Sequence, residues 1–437
     1  MQSVIPWRRG VEVFLRQKRI CSFCTKSQVS PETTTDTITV QGKAYNRDSW
    51  TNVTPTILKK VGKNLHCQKY HPLNLIKLRI NDFFYKNYFN KFRNPLFSVY
   101  DNLSPIVTLH QNYDSLLVPI DHPSRKKSDS YYINSEYMLR AHTSSHQVDL
   151  IGMGLDAFLL YGDVYRRDAI DASHYPAFHQ VEGVRLYTKY ELFDKSVDND
   201  RLNLFEDGHR LPTKQESHTH ESSITLEHDL KKTLENLTLH LFGKDIEIKW
   251  VDAYFPFTHP SWELEIKFRG EWMEVLGCGV IEQKIMHTAG AADKVGWAFG
   301  LGLERLAMKL YEIPDIRLFW SEDSGFLSQF EVDDPYSPVI YTPVSNNPQC
   351  INDISFWINQ KNFSENDFYD LVRAVGGNIV EQVHLIDTFF HPKKQRHSQT
   401  YRIVYRHMER PLTGEEVNTV HQEISVKATQ TLDVDIR

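Results

Sequence analysis

Residues 161–183, YGDVYRRDAIDASHYPAFHQVEG, hold two strand-like runs on either side of a short polar loop. The first run ends in the dense string YRRD, the loop carries Asp171, His174 and Pro176, and the second run starts at Phe178. Side chains of a strand alternate between faces, so Phe178, Gln180 and Glu182 share one face and His179 and Val181 the other. An arginine, an amide and a carboxylate beside a polar loop suit a substrate that is both anionic and cationic. The arginine can grip a phosphate or carboxylate with two parallel bonds, and the glutamate can hold an ammonium. The plain alternative is a surface hairpin with solvated charges, so the remaining motifs have to decide.

A chain of 437 residues has room for two or three domains with cores of their own. A net charge of -6 gives no global pull on nucleic acid, so any RNA contact must use local patches. The cysteines, 5 in all, form an odd and scattered set, which argues for a reducing compartment rather than a disulfide framework. Cys21 and Cys24 make a lone CxxC without a second pair, so no zinc site is expected. No apolar run approaches the ~20 residues that span a bilayer, and no membrane partner is expected. Residues 1–30 set Arg8, Arg9, Arg16, Lys18, Arg19 and Lys26 against a single acid, Glu12, with Val11, Phe14 and Leu15 as an apolar face. That fits a mitochondrial transit peptide, the alternative being a basic disordered tail.

Residues 31–54 read as an extended lead-in. A helix is expected from Thr54 through Leu65, and a second one after His71 with Leu73, Ile76, Ile80, Phe83 and Phe84 at helical spacing. The basic run Arg125, Lys126 and Lys127 is either a solvated face or a contact for RNA phosphates. LRAHTSSHQ, residues 139–147, offers His142, Ser144 and Gln147, whose hydroxyl and amide suit an ammonium and a carboxylate; a helix N-cap near Ser144 is the other reading. Residues 195–222 are polar without a period, an exposed insertion ahead of a leucine-striped helix at 223–241. WELEIKF is a strand, and before it Phe255 and Phe257 flank Pro256, either filling core or presenting rings to a ligand. EWMEVLGCGVIE is another strand, with Glu274 near two glycines. FGLGLERLAM reads as strand, glycines, then an amphipathic helix that opens near Arg305; its glycines let a nucleotide approach the backbone.

Residues 331–347 form a linker rich in proline and asparagine, and residues 348–437 run βαββαβ, a ferredoxin-like order. That last region is not basic overall. Its cations are local: Lys393, Lys394 and Arg396 in one loop, and Arg402 and Arg406 on one face of a strand, where a ferredoxin-like sheet can bind RNA. A small protein-interaction domain is the alternative.

YRRD, HYPAFHQVEG, LRAHTSSHQ, YFPFTHPS and FGLGLERLAM, in this order, resemble the motifs of class II aminoacyl-tRNA synthetases, and of the phenylalanyl-tRNA synthetase family in its single-chain mitochondrial form. The resemblance covers nearly all of residues 45–437. It implies an α+β chain: a class II catalytic domain at 55–330, with an antiparallel sheet and flanking helices, then a ferredoxin-like anticodon-binding domain at 348–437. The absence of a G-x-G-x-x-G fingerprint after a first strand agrees. Implied partners are phenylalanine, ATP with Mg2+, and tRNA(Phe), in the mitochondrial matrix and as a monomer. The implied roles are as follows: Arg166 on the α-phosphate and the attacking carboxylate, Arg305 on the γ-phosphate, and His174 assisting with phosphates. His142, Ser144, Gln147, Gln180 and Glu182 surround the amino acid's polar end, Phe255 and Phe257 hold its ring, and Ala298 is the pocket floor. Phe178 and Asp168 face adenine, Asp168 being shorter than the commoner glutamate, and Glu274 holds Mg2+, with Glu282 as a competitor. Lys393, Lys394, Arg396, Arg402 and Arg406 contact tRNA. Such a pocket rejects an added hydroxyl only weakly and the two domains account for the chain, so some mischarging of tyrosine without hydrolysis in cis is expected, and the irregular linker predicts a C-terminal domain that moves relative to the rest. The competing readings are another class II adenylating enzyme, an RNA-binding paralogue without catalysis, and a subunit of a larger heteromer.

Overall fold

The two runs of the central hairpin are adjacent strands in the middle of a seven-stranded sheet. The computed structural model describes residues 36–194, 201–343, 347–359, 363–393 and 395–437. The expected transit peptide, Cys21, Cys24 and Lys394 lie outside the described residues. The sheet's strands are β1 (Ser98–Tyr100), β2 (Ala157–Tyr165), β3 (Ala177–Tyr187), β4 (Glu247–Phe255), β5 (Thr258–Phe268), β6 (Glu271–Ile281) and β7 (Val295–Gly302). Their spatial order is β1-β2-β3-β7-β6-β5-β4, antiparallel throughout except for the parallel β1–β2 pair. Every residue of β2 is buried, because this strand is covered on both faces.

Four helices matter for the site: α1 (Pro72–Asn87), α2 (Gln147–Gly152), α3 (His220–Phe242) and α4 (Leu303–Leu310). On α1, Leu73, Ile76, Ile80, Phe83 and Phe84 are buried, and on α3 Leu226, Leu230, Leu234, Leu237 and Leu241. These stripes join Leu159, Tyr161, Val181, Trp297 and Phe299 of the sheet in one core. Each such leucine contributes roughly 1.5–3 kcal/mol through apolar burial. α3 starts at His220, three residues before the expected position, because Thr219 caps it by accepting from the Ser222 N–H. The helix expected from Thr54 through Leu65 is a single turn, Pro55–Leu58. Gly62 and Asn64 take positive φ of 77° and 47°, and the Gly62 N–H donates to Asp163 rather than to a helical carbonyl. The opposite face of the sheet, through Phe158, Leu160, Val184, Leu186 and Ala298, packs a second core against Tyr113, Leu116, Leu150 and Ile151. This face carries the cavity described below.

The C-terminal elements are β8 (Cys350–Ile358), α5 (Glu365–Gly376), β9 (Val380–His391), β10 (Arg396–Tyr405), α6 (Gly414–Thr431) and β11 (Val434–Ile436). The order is βαββαβ, and the four strands lie antiparallel as β9-β10-β8-β11. Phe356, Tyr401 and Ile403 pack with Phe368, Val372 and Ile424 of the two helices, so α5 and α6 cover one face of this sheet. The ferredoxin-like module docks on the hairpin loop. Arg167 pairs with Asp367 at 2.8 Å and with Asp370 at 3.4 Å, and the Tyr131 hydroxyl donates to Asp370 at 2.6 Å. Arg373 donates to the carbonyls of Asp168 and Ala169, and the Val383 N–H to that of Ile170.

Candidate active site

β3 and β7 run side by side with Glu182 opposite Gly300 and Val184 opposite Ala298. Alternation therefore brings Gln180, Glu182, Ala298 and Gly300 to one face, where they line a cavity of about 650 Å³. A Cβ added at Gly300 or Gly302 would meet nothing within 4 Å, so open space lies over this end of β7.

One end of the cavity is polar and starved of donors. Glu182 is buried, and its Oε2 accepts from the Ser144 hydroxyl and, at 3.4 Å, from Thr143. Its Oε1 has no partner among the described residues, and neither do Gln147 Oε1 and His142 Nδ1, both buried atoms. Burial pushes the Glu182 carboxyl up to about 7, against the pull of the two hydroxyls. Burial, with the Arg166 cation nearby, pushes the His142 imidazole down to about 3, so it is neutral and able to accept. A buried carboxylate with further acceptors facing one cavity is the complement of an ammonium group.

The cavity also has an aromatic wall, which the His142 ring adjoins. Phe255 and Phe257 stand with centroids 6.0 Å apart and planes at 18°, and the His142 ring lies 6.1 Å from Phe257. Gly277 makes the room, since a Cβ there would come within 2.7 Å of the Phe255 ring. Both phenylalanines are only half buried, which leaves ring surface free to cover a third ring. Ala298 and Cys278 line the cavity beside them.

Arg166 lines the cavity too. Its Nε donates to the Ala141 carbonyl at 2.7 Å, and its guanidinium sits 5.3 Å above the Phe178 ring. The terminal amino groups of Arg166 line the same cavity without a hydrogen-bond partner in the described protein. At the rim, Arg305 lies against Glu274, donating to its carboxylate at 3.2 Å and its carbonyl at 3.1 Å. Glu263 belongs to the same rim: burial and its neighbours Glu274 and Glu265 raise its carboxyl.

The matches to known proteins agree with this geometry. Residues 56–197 and 214–330 match the tRNA synthetases class II core domain (F), and residues 345–437 the ferredoxin-fold anticodon binding domain. The mitochondrial phenylalanine–tRNA ligase of Mus musculus is 60% identical over 91% of this chain and 88% of its own length. That of Rattus norvegicus is 57% identical over the same shares, 91% and 88%. A probable mitochondrial phenylalanine–tRNA ligase of Drosophila melanogaster is 50% identical over 98% of each chain. The chain belongs to the phenylalanine–tRNA ligases. Among the residues that the resemblance to this ligase family singled out, His142, Ser144, Gln147, Arg166, Asp168, Gln180, Glu182, Phe255, Phe257, Glu274 and Ala298 all line the one cavity.

Others stand elsewhere. Phe178 is not among the lining residues; its half-buried ring is beneath Arg166. His174 lies at the crest of the loop, 2.6 Å from Asp171, whose hydrogen bond raises its imidazole, and lines a small crevice beside Arg317 and Arg373. Glu282, the competitor for Glu274, is held by Arg210. Two cations of the basic run have partners, Arg125 pairing with Asp114 at 2.7 Å and Lys127 donating to the Ser49 carbonyl at 2.6 Å, while Lys126 between them is exposed. In the anticodon-binding fold, of the residues expected to contact tRNA, Arg396 pairs with Asp435, Arg402 with Asp353 and Arg406 with Glu381, and Lys393 is exposed. The readings from sequence missed Thr143, Glu263 and the docking pairs of Arg167. Glu263 had a signal, since alternation along WELEIKF puts it on the face of Glu265. Arg167 had none, because its partners lie 200 residues away.

Proposed function

We propose that this phenylalanine–tRNA ligase activates phenylalanine with ATP and passes it to tRNA(Phe) in the mitochondrial matrix, working as one chain. The observation that carries the reading is that one cavity is lined by two kinds of group: Glu182, Gln147 and His142 with open acceptor atoms, and the Phe255–Phe257 pair. The substrate ammonium takes the first and the phenyl ring the second. The carboxylate is then left near Arg166, whose free amino groups hold it against the α-phosphate of ATP. Attack on that phosphorus forms phenylalanyl-adenylate and expels pyrophosphate. The 2′-hydroxyl of the terminal adenosine then attacks the acyl carbon, and AMP leaves. No covalent enzyme intermediate is needed, so the residues act by positioning and by countering charge.

Mg2+ fits the rim: Glu274, with Glu263 beside it, supplies the one or two carboxylates that this ion accepts while keeping waters. When bound it would offset the charge of the phosphates. Arg305 releases Glu274 to reach the γ-phosphate. For tRNA, the open face of the ferredoxin-like sheet supports a stacking contact better than the paired arginines Arg402 and Arg406 do. Trp357 lies 6.3 Å from Phe389 and 5.9 Å from His391, with the Arg396 and Arg437 guanidiniums 5.7 and 5.5 Å from its ring. Beside them Lys393 is the exposed phosphate contact.

A pocket that recognises a ring by shape rejects an added hydroxyl only weakly. Tyrosine is therefore activated at a low rate, and its ester is not cleared in cis. The test is amino-acid-dependent ATP–pyrophosphate exchange on residues 31–437, followed by deacylation of Tyr-tRNA. Strong exchange with phenylalanine and weak exchange with tyrosine are expected. No exchange with any amino acid in a folded protein that binds tRNA would favour the RNA-binding paralogue, and rapid hydrolysis of Tyr-tRNA would remove the editing statement.

A further inference from the structure

The strand that carries Gln180 and Glu182 also carries His179, which turns to the other face of the sheet. There it meets Glu304, the residue before Arg305. One Glu304 oxygen accepts the His179 backbone N–H at 2.8 Å, and the other accepts its Nδ1–H at 2.7 Å. The two side chains are 0% and 3% exposed. The pairing of β3 with β7 ends at Gln180 opposite Gly302, and α4 begins at the next residue, Leu303. His179 is thus the first β3 residue beyond the ladder. The Glu304 carboxylate continues the ladder where β7 has turned into a helix, and so fixes how α4 leaves the sheet.

Two features separate this from ordinary core filling. A buried carboxylate with a buried imidazole is costly to desolvate, and an apolar pair of the same volume would pack as well. And the clamp joins two neighbours of the chemistry in sequence: His179 lies between Phe178 and Gln180, and Glu304 adjoins Arg305, whose side chain is 47% exposed at the rim. His179 Nε2 has no hydrogen-bond partner among the described residues, so the bond that matters is the one from Nδ1.

We propose that Glu304 and His179 are positioning residues for amino-acid activation, setting where Arg305 stands relative to the strand that holds the amino acid. The inference rests on the role given to Arg305 above. A small tilt of α4 moves the far end of that long side chain, and a misplacement of about 1 Å costs on the order of a hundredfold in rate. The clamp acts on the triphosphate end and leaves the Glu182 end in place.

The test uses His179→Asn, His179→Gln, Glu304→Gln and Glu304→Ala, each melted to check folding and titrated for active sites by a single turnover of adenylate formation. An asparagine amide nitrogen overlays Nδ1, a glutamine amide nitrogen overlays Nε2, and a glutamine at 304 keeps the backbone bond through its oxygen and reverses the other, its amide donating to Nδ1 of the Nε2–H tautomer. Exchange kinetics should leave KM for ATP within about twofold in His179→Asn and Glu304→Gln, and raise it roughly tenfold or more in His179→Gln and Glu304→Ala, with KM for phenylalanine nearly unchanged. A merely structural pair would lower the active fraction and leave both KM values alone; that result overturns the inference. So does His179→Gln matching His179→Asn, a comparison that stands even if Glu304→Ala does not fold. Failure of the unaltered chain to exchange with phenylalanine would overturn the functional reading itself, and the inference with it.

Discussion

Glu182 decides how this site behaves with pH. Its carboxyl is raised to about 7 from an ordinary 4.5, so the empty protein binds a proton there that the unfolded chain has already lost. Stability from this group is full below pH 4.5 and is lost as pH rises through 7, a swing on the order of 3 kcal/mol. An ammonium in the pocket reverses the preference, because it favours the carboxylate. KM for phenylalanine should therefore fall as pH rises from 5.5 to 7.5, by up to about tenfold per unit below the pKa, and binding near pH 6 should release a proton. Titration calorimetry in buffers of different ionisation enthalpy measures that proton. Glu182→Gln should bind phenylalanine weakly, with no such pH dependence. Alternation alone placed Gln180 and Glu182 together on one face of their strand. It could not show that Arg305 rests on Glu274, since those two meet across the sheet and not along a strand.

At the scale of elements, the long apolar stripes were legible and the short turns were not. Helical spacing of Leu226 through Leu241 is a property of the chain itself, and the structure buries that stripe. Leu230 is 0% exposed, so Leu230→Ala should lower the unfolding free energy by roughly 2–5 kcal/mol in a urea titration. A loss below about 1 kcal/mol would mean that the neighbouring side chains close the gap. The helix expected through Leu65 failed for a tertiary reason: Asp163, which also holds Arg140 and the Tyr165 hydroxyl, draws the Gly62 N–H out of any helical pattern. No local signal in residues 54–65 reports a partner about a hundred residues away. The βαββαβ order was legible because each of its elements has its own period; the docking of that module was not, since Arg167, Asp370 and Arg373 carry no mark of their partners.

At the scale of the whole molecule, the anticodon-binding fold rests on the hairpin loop, with Asn366 of α5 lining the cavity and donating to the carbonyls of Ser128 and Arg167. The expectation drawn from the irregular linker was a domain that moves. Movement requires breaking Arg167 from Asp367 and Asp370, and Arg373 from two carbonyls. Arg167→Ala combined with Arg373→Ala should enlarge the radius of gyration of the tRNA-free protein in small-angle scattering, and tRNA should enlarge it in the unaltered protein. An unchanged radius in the double variant would assign the docking to the contacts that remain: Tyr131 on Asp370, Arg317 on the carbonyls of Asn378, Val380 and Arg406, and Ala169 and Ile170 against the ferredoxin-like core. The same docking bears on how the protein melts. Ile170 belongs at once to the hairpin loop and to the packed interior of the C-terminal fold, so neither can lose its order without exposing surface of the other. Differential scanning calorimetry should then record a single endotherm for two chain segments that each have a core. Saturating phenylalanine and ATP should shift that endotherm as a whole, carrying the heat resistance of a pocket ligand into a sheet that the ligand never touches.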